Sequence, residues 1–191
     1  HDALPISKGH NPSYIYRGHK ADLFEGGHRV VCVMGWPEKI KKAFEISQTI
    51  CLNDFMATFA AVTGYNLSDN EAEDSFNLLP AIINPGFEGT IRESTIHHSI
   101  DGNFAIRKGK WKLLLSPGSG GWSSPKPGPE EEGLPPVQLY DIARDPGERI
   151  NLQAEHQDIV NELTALLKKS IDEGRSTPGA IQKNDGEHPV F

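Results

Sequence analysis

An α/β fold that closes with a small antiparallel sheet and a C-terminal amphipathic helix is what this sequence predicts, on three observations. The run Val30-Val31-Cys32-Val33-Met34 is continuous and β-branched, the pattern of a strand covered on both faces. Ser94 to Ser99 and Asn103 to Arg107 alternate apolar and polar residues, and Lys108-Gly109 offers a two-residue hairpin link to Lys110-Trp111-Lys112-Leu113-Leu114-Leu115. Near the end, Ile159, Val160, Leu163, Leu166, Leu167 and Ile171 form an apolar stripe on a helix from about Gln157 to Glu173.

The other elements follow in chain order. Gly9 to Tyr16 is rich in Gly, Asn, Pro and Ser and reads as a loop. It leads into Gly18-His19-Lys20-Ala21-Asp22-Leu23-Phe24-Glu25-Gly26-Gly27-His28-Arg29, which sets a lysine on a polar approach and then a double glycine that lets backbone come close to something. The strand after it stops at Pro37. Ile46 to Cys51 is a connector, Asn53 is placed to cap a helix running to about Thr63, and Gly64 is its stop. Leu52, Phe55, Met56 and Phe59 fall on one side of that helix and predict packing against a sheet. Asn66 to Ser75 is acidic and turn-rich, and the short apolar segment Phe76 to Ile83 ends at Asn84-Pro85-Gly86. In the antiparallel sheet, Phe104 shares a face with Ile106, and Trp111 with Leu113 and Leu115. Pro117 to Pro136 is dense in Gly, Pro and Ser, and a loop of that length favours function over simple connection. Val137 to Tyr140 returns as a strand. On the last helix Lys168 and Lys169 sit near the negative end and Gly174 is the stop, before a polar, extended tail from Arg175.

Composition bounds the function. A chain of 191 residues with 37% hydrophobic content can form one ordinary domain. The net charge of −7 argues against a nucleic-acid partner, because a phosphate-tracking surface carries a basic excess. No apolar run approaches the roughly 20 residues that cross a bilayer, so no membrane span is expected. The first residue is His and no signal peptide precedes the fold, which predicts a fragment or a mature chain. Cys32, in the expected strand, and Cys51, at the entrance to a helix, read as small buried residues; their spacing fits no zinc motif.

Two motifs carry a family resemblance. The segment from Lys20 to Arg29 resembles the sulfatase block in which a lysine, five positions before the Glu of a Glu-Gly-Gly triplet, touches the sulfate group; here that lysine is Lys20. Leu139-Tyr140-Asp141-Ile142-Ala143-Arg144-Asp145-Pro146-Gly147-Glu148-Arg149-Ile150-Asn151-Leu152 resembles the Leu-Tyr-Asp, Asp-Pro, Glu, Asn-Leu signature near the end of the same enzymes. Asp74 to Pro80 matches an element that in this family leads toward the C-terminal subdomain. The resemblance implies the C-terminal part of an arylsulfatase-type enzyme with an alkaline-phosphatase-like α/β fold. Residues 8–90 would end the catalytic α/β domain, and residues 91–191 would form the sheet, helix and tail; His1 to Ser7 match nothing in the family and are set apart as non-native or disordered. The family's Pro after Gly-Gly-His-Arg-Val and its Arg before Trp-Pro are replaced here by Val31 and Gly35.

The implied chemistry is hydrolysis of a sulfate monoester. An ammonium with three N–H donors suits the oxygens on which charge builds as the S–O bond breaks, which is the role the resemblance gives Lys20. Glu25 and Arg29 read as structural, able to pair across Gly26-Gly27. His97 and His98 are adjacent on a strand, so only one can face a given side; one of them is a candidate donor to the sugar or ring of a substrate. Trp111 and Trp122 are candidates for a stacking wall, with Trp111 better explained by packing. Asp141, Asp145 and Glu148 lack a calcium-loop pattern. The family also uses a formylglycine made from Cys/Ser-x-Pro-x-Arg and a calcium held by acidic residues with an Asp-Asn pair. Neither Cys32 nor Cys51 stands in that motif and no Asp-Asn-Gly precedes Lys20, so calcium ligands and nucleophile are expected in an N-terminal part outside this sequence. The expected partner is a sulfated small molecule or sulfated carbohydrate, and the expected location of the whole enzyme is periplasmic or secreted. Two readings stay open beside it: a non-catalytic carbohydrate-binding or interaction module, and a two-metal phosphatase or phosphodiesterase of the same superfamily.

Overall fold

In the computed structural model, residues 8–184 and 186 are described; the segment His1 to Ser7 that the sequence sets apart lies outside them. The chain divides into two compact units that are each discontinuous in sequence, one made of residues up to Val31 with Ile96–Thr164, the other of Cys32–Thr95 with residues from Ala165 on.

The first unit is built on a sheet. Strands β1 (Ser94–His98), β2 (Phe104–Lys108), β3 (Trp111–Leu114) and β4 (Gln138–Asp141) lie side by side in chain order. β2 and β3 are antiparallel, with Ala105 opposite Leu114 and Lys108 opposite Trp111, and β3 and β4 are antiparallel with Leu113 opposite Leu139. The hairpin link is therefore Gly109-Lys110, one residue later than Lys108-Gly109. Leu23, Phe24, Ala105, Leu114, Tyr140 and Ile142 form its buried apolar cluster. β3 departs from simple alternation: Lys112, Leu113 and Leu114 are all fully buried, so both faces of this strand are covered. A single-turn helix α1 (Glu25–His28) holds the double glycine.

The expected strand Val30 to Met34 is absent. These residues have no regular structure, and Val30, Val31 and Val33 are 62%, 91% and 88% exposed. A β-branched run becomes a strand only where a neighbour takes up its backbone groups, and the described residues supply none here. Cys32, expected to be buried in that strand, is exposed, and both cysteines are free.

In the second unit, α2 (Asp54–Thr63) ends at Gly64, whose φ of +74° is the left-handed conformation a side chain disfavours. Its packing face is the reverse of the expected one. Asp54, Ala57 and Thr58 are buried, whereas Leu52, Met56 and Phe59 are 65%, 56% and 61% exposed. The reason is polar. Asp54 accepts from the Cys51 and Phe76 amides, and its two oxygens share Arg92 Nη1 at 2.9 and 3.0 Å; Thr58 Oγ1 accepts from Leu78 N, and the Ala57 amide donates to Ser75 Oγ. Those bonds fix the helix by its small polar side. Asn53 makes no side-chain cap; its amide donates to Asp74 O. A short helix α3 (Leu79–Ile83) follows.

Helix α4 (Gln157–Asp172) matches the expected stripe, with Val160, Leu163 and Leu167 buried. Beyond it Arg175 is buried and donates to Asp69 O, Asp69 Oδ1, Thr177 O and Ala180 O. Among the described residues no helix is long and apolar enough to cross a membrane.

Candidate functional site

Lys20 sits in a tight turn. The His19 amide donates to Asp22 Oδ2 at 2.7 Å, the Asp22 amide donates to His19 O at 3.1 Å, and Ala21 is held at a φ of +86°. That conformation is costly for a residue with a Cβ, so the surroundings must impose it. They do so through the loop after β3. Asp22 is only 2% exposed, and its Oδ1 accepts from the amides of Trp122 (2.7 Å) and Ser123 (3.0 Å) while Oδ2 accepts from His19 N and from the Ser123 hydroxyl. The Leu23 amide adds a bond to Ser119 O at 2.8 Å, and Ile100 N donates to Ala21 O. The long Gly/Pro/Ser stretch is thus fastened to the lysine turn at its first third. The Lys20 side chain itself is exposed, and among the described residues its ammonium has no hydrogen-bond or ion-pair partner.

The double glycine comes close to this same turn. A Cβ on Gly26 would collide with the carbonyls of Gly18 and Arg17, and one on Gly27 with those of Asp22 and His19. Helix α1 therefore lies directly against the turn backbone, and the Gly26 amide bonds to Arg17 O at 2.7 Å.

Behind the turn is a buried ionic cluster. Glu25, Lys112 and Glu148 are 2%, 0% and 0% exposed. Lys112 Nζ stands 3.1 Å from Glu25 Oε1 and 2.9 Å from Glu148 Oε1, and the Glu25 amide donates to Glu148 Oε2 at 2.6 Å. Arg29 Nε joins Glu25 at 2.8 Å, the pairing expected across the glycines, and Arg107 approaches it at 3.6 Å. Burial pushes the Glu25 carboxyl up, but Lys112 and Arg107 together outweigh it and hold it below its usual value. At Glu148 burial prevails over Lys112 and raises the carboxyl. The cluster ties α1, β3 and the turn after β4 together, so it fixes what carries Lys20 rather than reaching outward.

The two strand histidines point apart, as alternation requires. His97 stacks on His28 with ring centroids 3.8 Å apart, while His98 meets the Phe104 ring edge-on at 4.1 Å. Burial lowers the His98 imidazole. Burial, and then the Lys112 ammonium, lower His28 to about 4, so it is neutral near pH 7; its Nδ1 is buried with no hydrogen-bond partner among the described residues. His28 packs against His97. Trp111 is half-buried against His156 and under Lys110, and Trp122 is 56% exposed on the loop that Asp22 anchors.

The acidic segment after β4 spends its carboxylates locally. Asp141 accepts from Ala143 N, Arg144 N and Lys110 Nζ, and Asp145 from the amides of Arg149 and Ile150. Among the described residues no group of three His, Cys, Asp or Glu is arranged to hold a metal ion. The carboxylates present therefore do not fit a calcium cradle, and the sequence around each cysteine does not fit a formylglycine precursor. Three residues that matter to this site escaped the sequence reading: Asp22, Lys112 and Glu148 as a buried anchor and an ion pair. The one signal for Lys112 was its place inside an apolar strand, Trp111 to Leu115, where period two sends it outward only if that face is open.

No family model matches the chain. Among characterised proteins it is 32% identical over 165 residues to an N-acetylgalactosamine-6-O-sulfatase of Bacteroides thetaiotaomicron, covering 84% of this chain and 30% of that protein. It is 28% identical to human arylsulfatase A, with 100% of this chain and 40% of that protein covered. A solved Bacteroides thetaiotaomicron structure, described under metabolism of multiple glycosaminoglycans, superposes with a TM-score of 0.72 at 29% identity over 88% of this chain and 34% of its own. A crystal structure of Ps i-CgsB with k-i-k-neocarrahexaose shares the fold at a TM-score of 0.61 and 23% identity. The chain spans about a third of the length of the relatives it matches.

Proposed function

Since this chain belongs to the sulfatase family, we propose that it forms the C-terminal part of a sulfuric ester hydrolase and supplies Lys20 to a site whose remaining groups lie outside it. What supports the reading is the exposed ammonium of Lys20, without a partner among the described residues, on a turn immobilised from three sides, by Asp22, by the Gly26-Gly27 approach and by the Ile100 and Ser119 bonds. Held there, the ammonium donates hydrogen bonds to a sulfate oxygen and to the bridging oxygen. As the S–O bond breaks its electron pair passes to that bridging oxygen, where a fixed cation lowers the barrier. Within the whole family enzyme, calcium would neutralise sulfate oxygens and formylglycine would supply the nucleophile. The described residues of this chain fit neither.

The substrate class we favour is a sulfated carbohydrate. It rests on the glycan-directed descriptions of two of the relatives and on Trp122, whose amide Asp22 holds while its exposed ring is offered to a sugar face. His97 is half-buried against His28, which leaves His98, on the more open side of β1, as the better placed of the two to reach a substrate.

The test compares two proteins on 4-nitrophenyl sulfate and on a sugar 6-sulfate. The 191-residue chain is expected to show no turnover. The longer product of its gene, read from the preceding codons, is expected to turn over and to lose about 10²-fold or more in kcat on Lys20→Ala, the scale of removing one donor to a developing oxyanion. Turnover by the short chain, or a longer product indifferent to Lys20→Ala, would refute the assignment.

A further inference from the structure

The first unit contains a pocket of about 220 Å³ whose walls include Tyr16, Glu25, Arg29, Arg107, Lys110 and Ile142; Lys20 is not among its lining residues. Three of these side chains are cations and one is a carboxylate, and that carboxylate is already engaged by Lys112 at 3.1 Å and Arg29 at 2.8 Å. Among the described residues the ion-paired cations Arg29, Arg107, Lys110, Lys112 and Arg144 meet the carboxylates Glu25, Asp141 and Glu148, so the cluster carries two more positive charges than negative ones. Burial bears on Arg107 and the neighbouring Arg29 adds to it, which together press its guanidinium below its usual value despite Glu25.

The donors are also incompletely used. Arg107 spends Nε on Gly109 O at 3.1 Å and reaches Glu25 only at 3.6 Å through Nη1. Arg29 uses Nε on Glu25 and Nη1 on the Tyr16 hydroxyl, which lies beneath its guanidinium as a ring at 4.3 Å. Because the Tyr16 oxygen accepts from Arg29, its own proton is left to donate. The side chains at the mouth are open, Arg29 at 41% and Lys110 at 48%, and Arg107 is more enclosed at 22%. Two guanidinium forks, an ammonium and a phenol arriving from separate segments surround a guest rather than meet it edge-on, which suits a tetrahedral oxyanion better than a flat carboxylate.

We propose that this pocket binds a sulfate group, either the free ion or the ester on a sugar, through Arg29, Arg107, Lys110 and Tyr16. It requires neither Lys20 nor catalysis, so it stands or falls apart from the hydrolase reading. The test is a ¹H–¹⁵N NMR titration of the full chain with sodium sulfate, against sodium chloride at matched ionic strength, with a monosaccharide 6-sulfate and the unsulfated sugar as parallel arms. Saturable shifts at the amides of Arg29, Arg107 and Lys110 with sulfate and not with chloride are expected. Arg107→Ala should weaken binding by about tenfold or more, the scale of one charge-assisted hydrogen bond, and Lys168→Ala on α4 should leave it unchanged. Should Arg107→Ala fail to fold, Lys110→Ala at the open mouth carries the decision, with a several-fold loss expected. Whichever of free sulfate and sugar sulfate binds more tightly identifies the source of the anion. Absence of saturation with both, an equal response to chloride, or affinity unchanged in both pocket variants would overturn the proposal.

Discussion

Lys112 is the residue on which the first unit is most sensitive. Its ammonium is fully buried between two carboxylates, and deleting it would leave Glu25 and Glu148 facing each other with only the arginines on one side. Breaking such a pair typically costs about 3–5 kcal/mol, so Lys112→Ala is expected to lower the unfolding free energy measured by urea denaturation by that amount; a change below about 1 kcal/mol would mean the cluster is solvated in solution. His28 gives the pH dependence. Its folded pKa, about 4, lies below its ordinary 6.5, so between those values the unfolded chain binds a proton that the native one refuses. Stability is therefore full above about pH 6.5, falls as pH drops toward 4, and gains no further penalty from this group below that. At about 1.4 kcal/mol per pH unit, the loss is a few kcal/mol, and His28→Gln should flatten that part of the stability profile. Glu25, lowered, adds to the loss as pH falls through its folded value, whereas Glu148, raised, opposes it.

At the scale of elements, Asp22 joins two stretches a hundred residues apart by three hydrogen bonds accepted by one carboxylate, which also accepts from the nearby His19 amide. Asp22→Ala is expected to cost about 2–4 kcal/mol, on the scale of charge-assisted bonds lost together with partly orphaned amides. Hydrogen exchange should read it locally, with the Trp122 and Ser123 amides losing protection and those of Leu113 and Leu139 in the sheet keeping theirs. Equal loss everywhere would assign Asp22 to global stability alone. This bond pattern also explains what the sequence could and could not reveal. The hairpin, the amphipathic α4 and the Gly64 stop were legible because periodicity and turn chemistry act within a few residues. The Asp22 anchor was not, since an aspartate beside a glycine-rich loop in sequence terms has no address. The same holds for α2: its stripe of Leu52, Phe55, Met56 and Phe59 was correctly seen, but its direction was set by Arg92 and Ser75, which lie far along the chain.

Across the whole molecule, exposed apolar residues gather on the segment after the double glycine and on α2. Val31 and Val33 are 91% and 88% exposed, and Met56, Phe59 and Tyr65 line an open side of α2 and its end. Single exposed hydrophobes are ordinary, whereas a β-branched run of unpaired backbone is a template for pairing with another chain. The double variant Val31→Lys, Val33→Lys is expected to lower dye binding and self-association of this chain while changing its stability by no more than about 0.5 kcal/mol. If association persists undiminished, the adhesive surface lies elsewhere, with α2 next in line. The Lys20 block was readable from sequence as a motif, yet its meaning as a held cation comes only from the turn, the glycines and the loop meeting in space.

Gly121 lies against the Ala21 carbonyl and Asp22, with no room there for a Cβ, and Ser123 clasps the same carboxylate. Anyone grafting a foreign loop between β3 and β4 must therefore transplant the Gly121–Ser123 hinge unchanged and vary only what lies past it. A donor loop lacking that small residue would unseat the cation it was meant to serve.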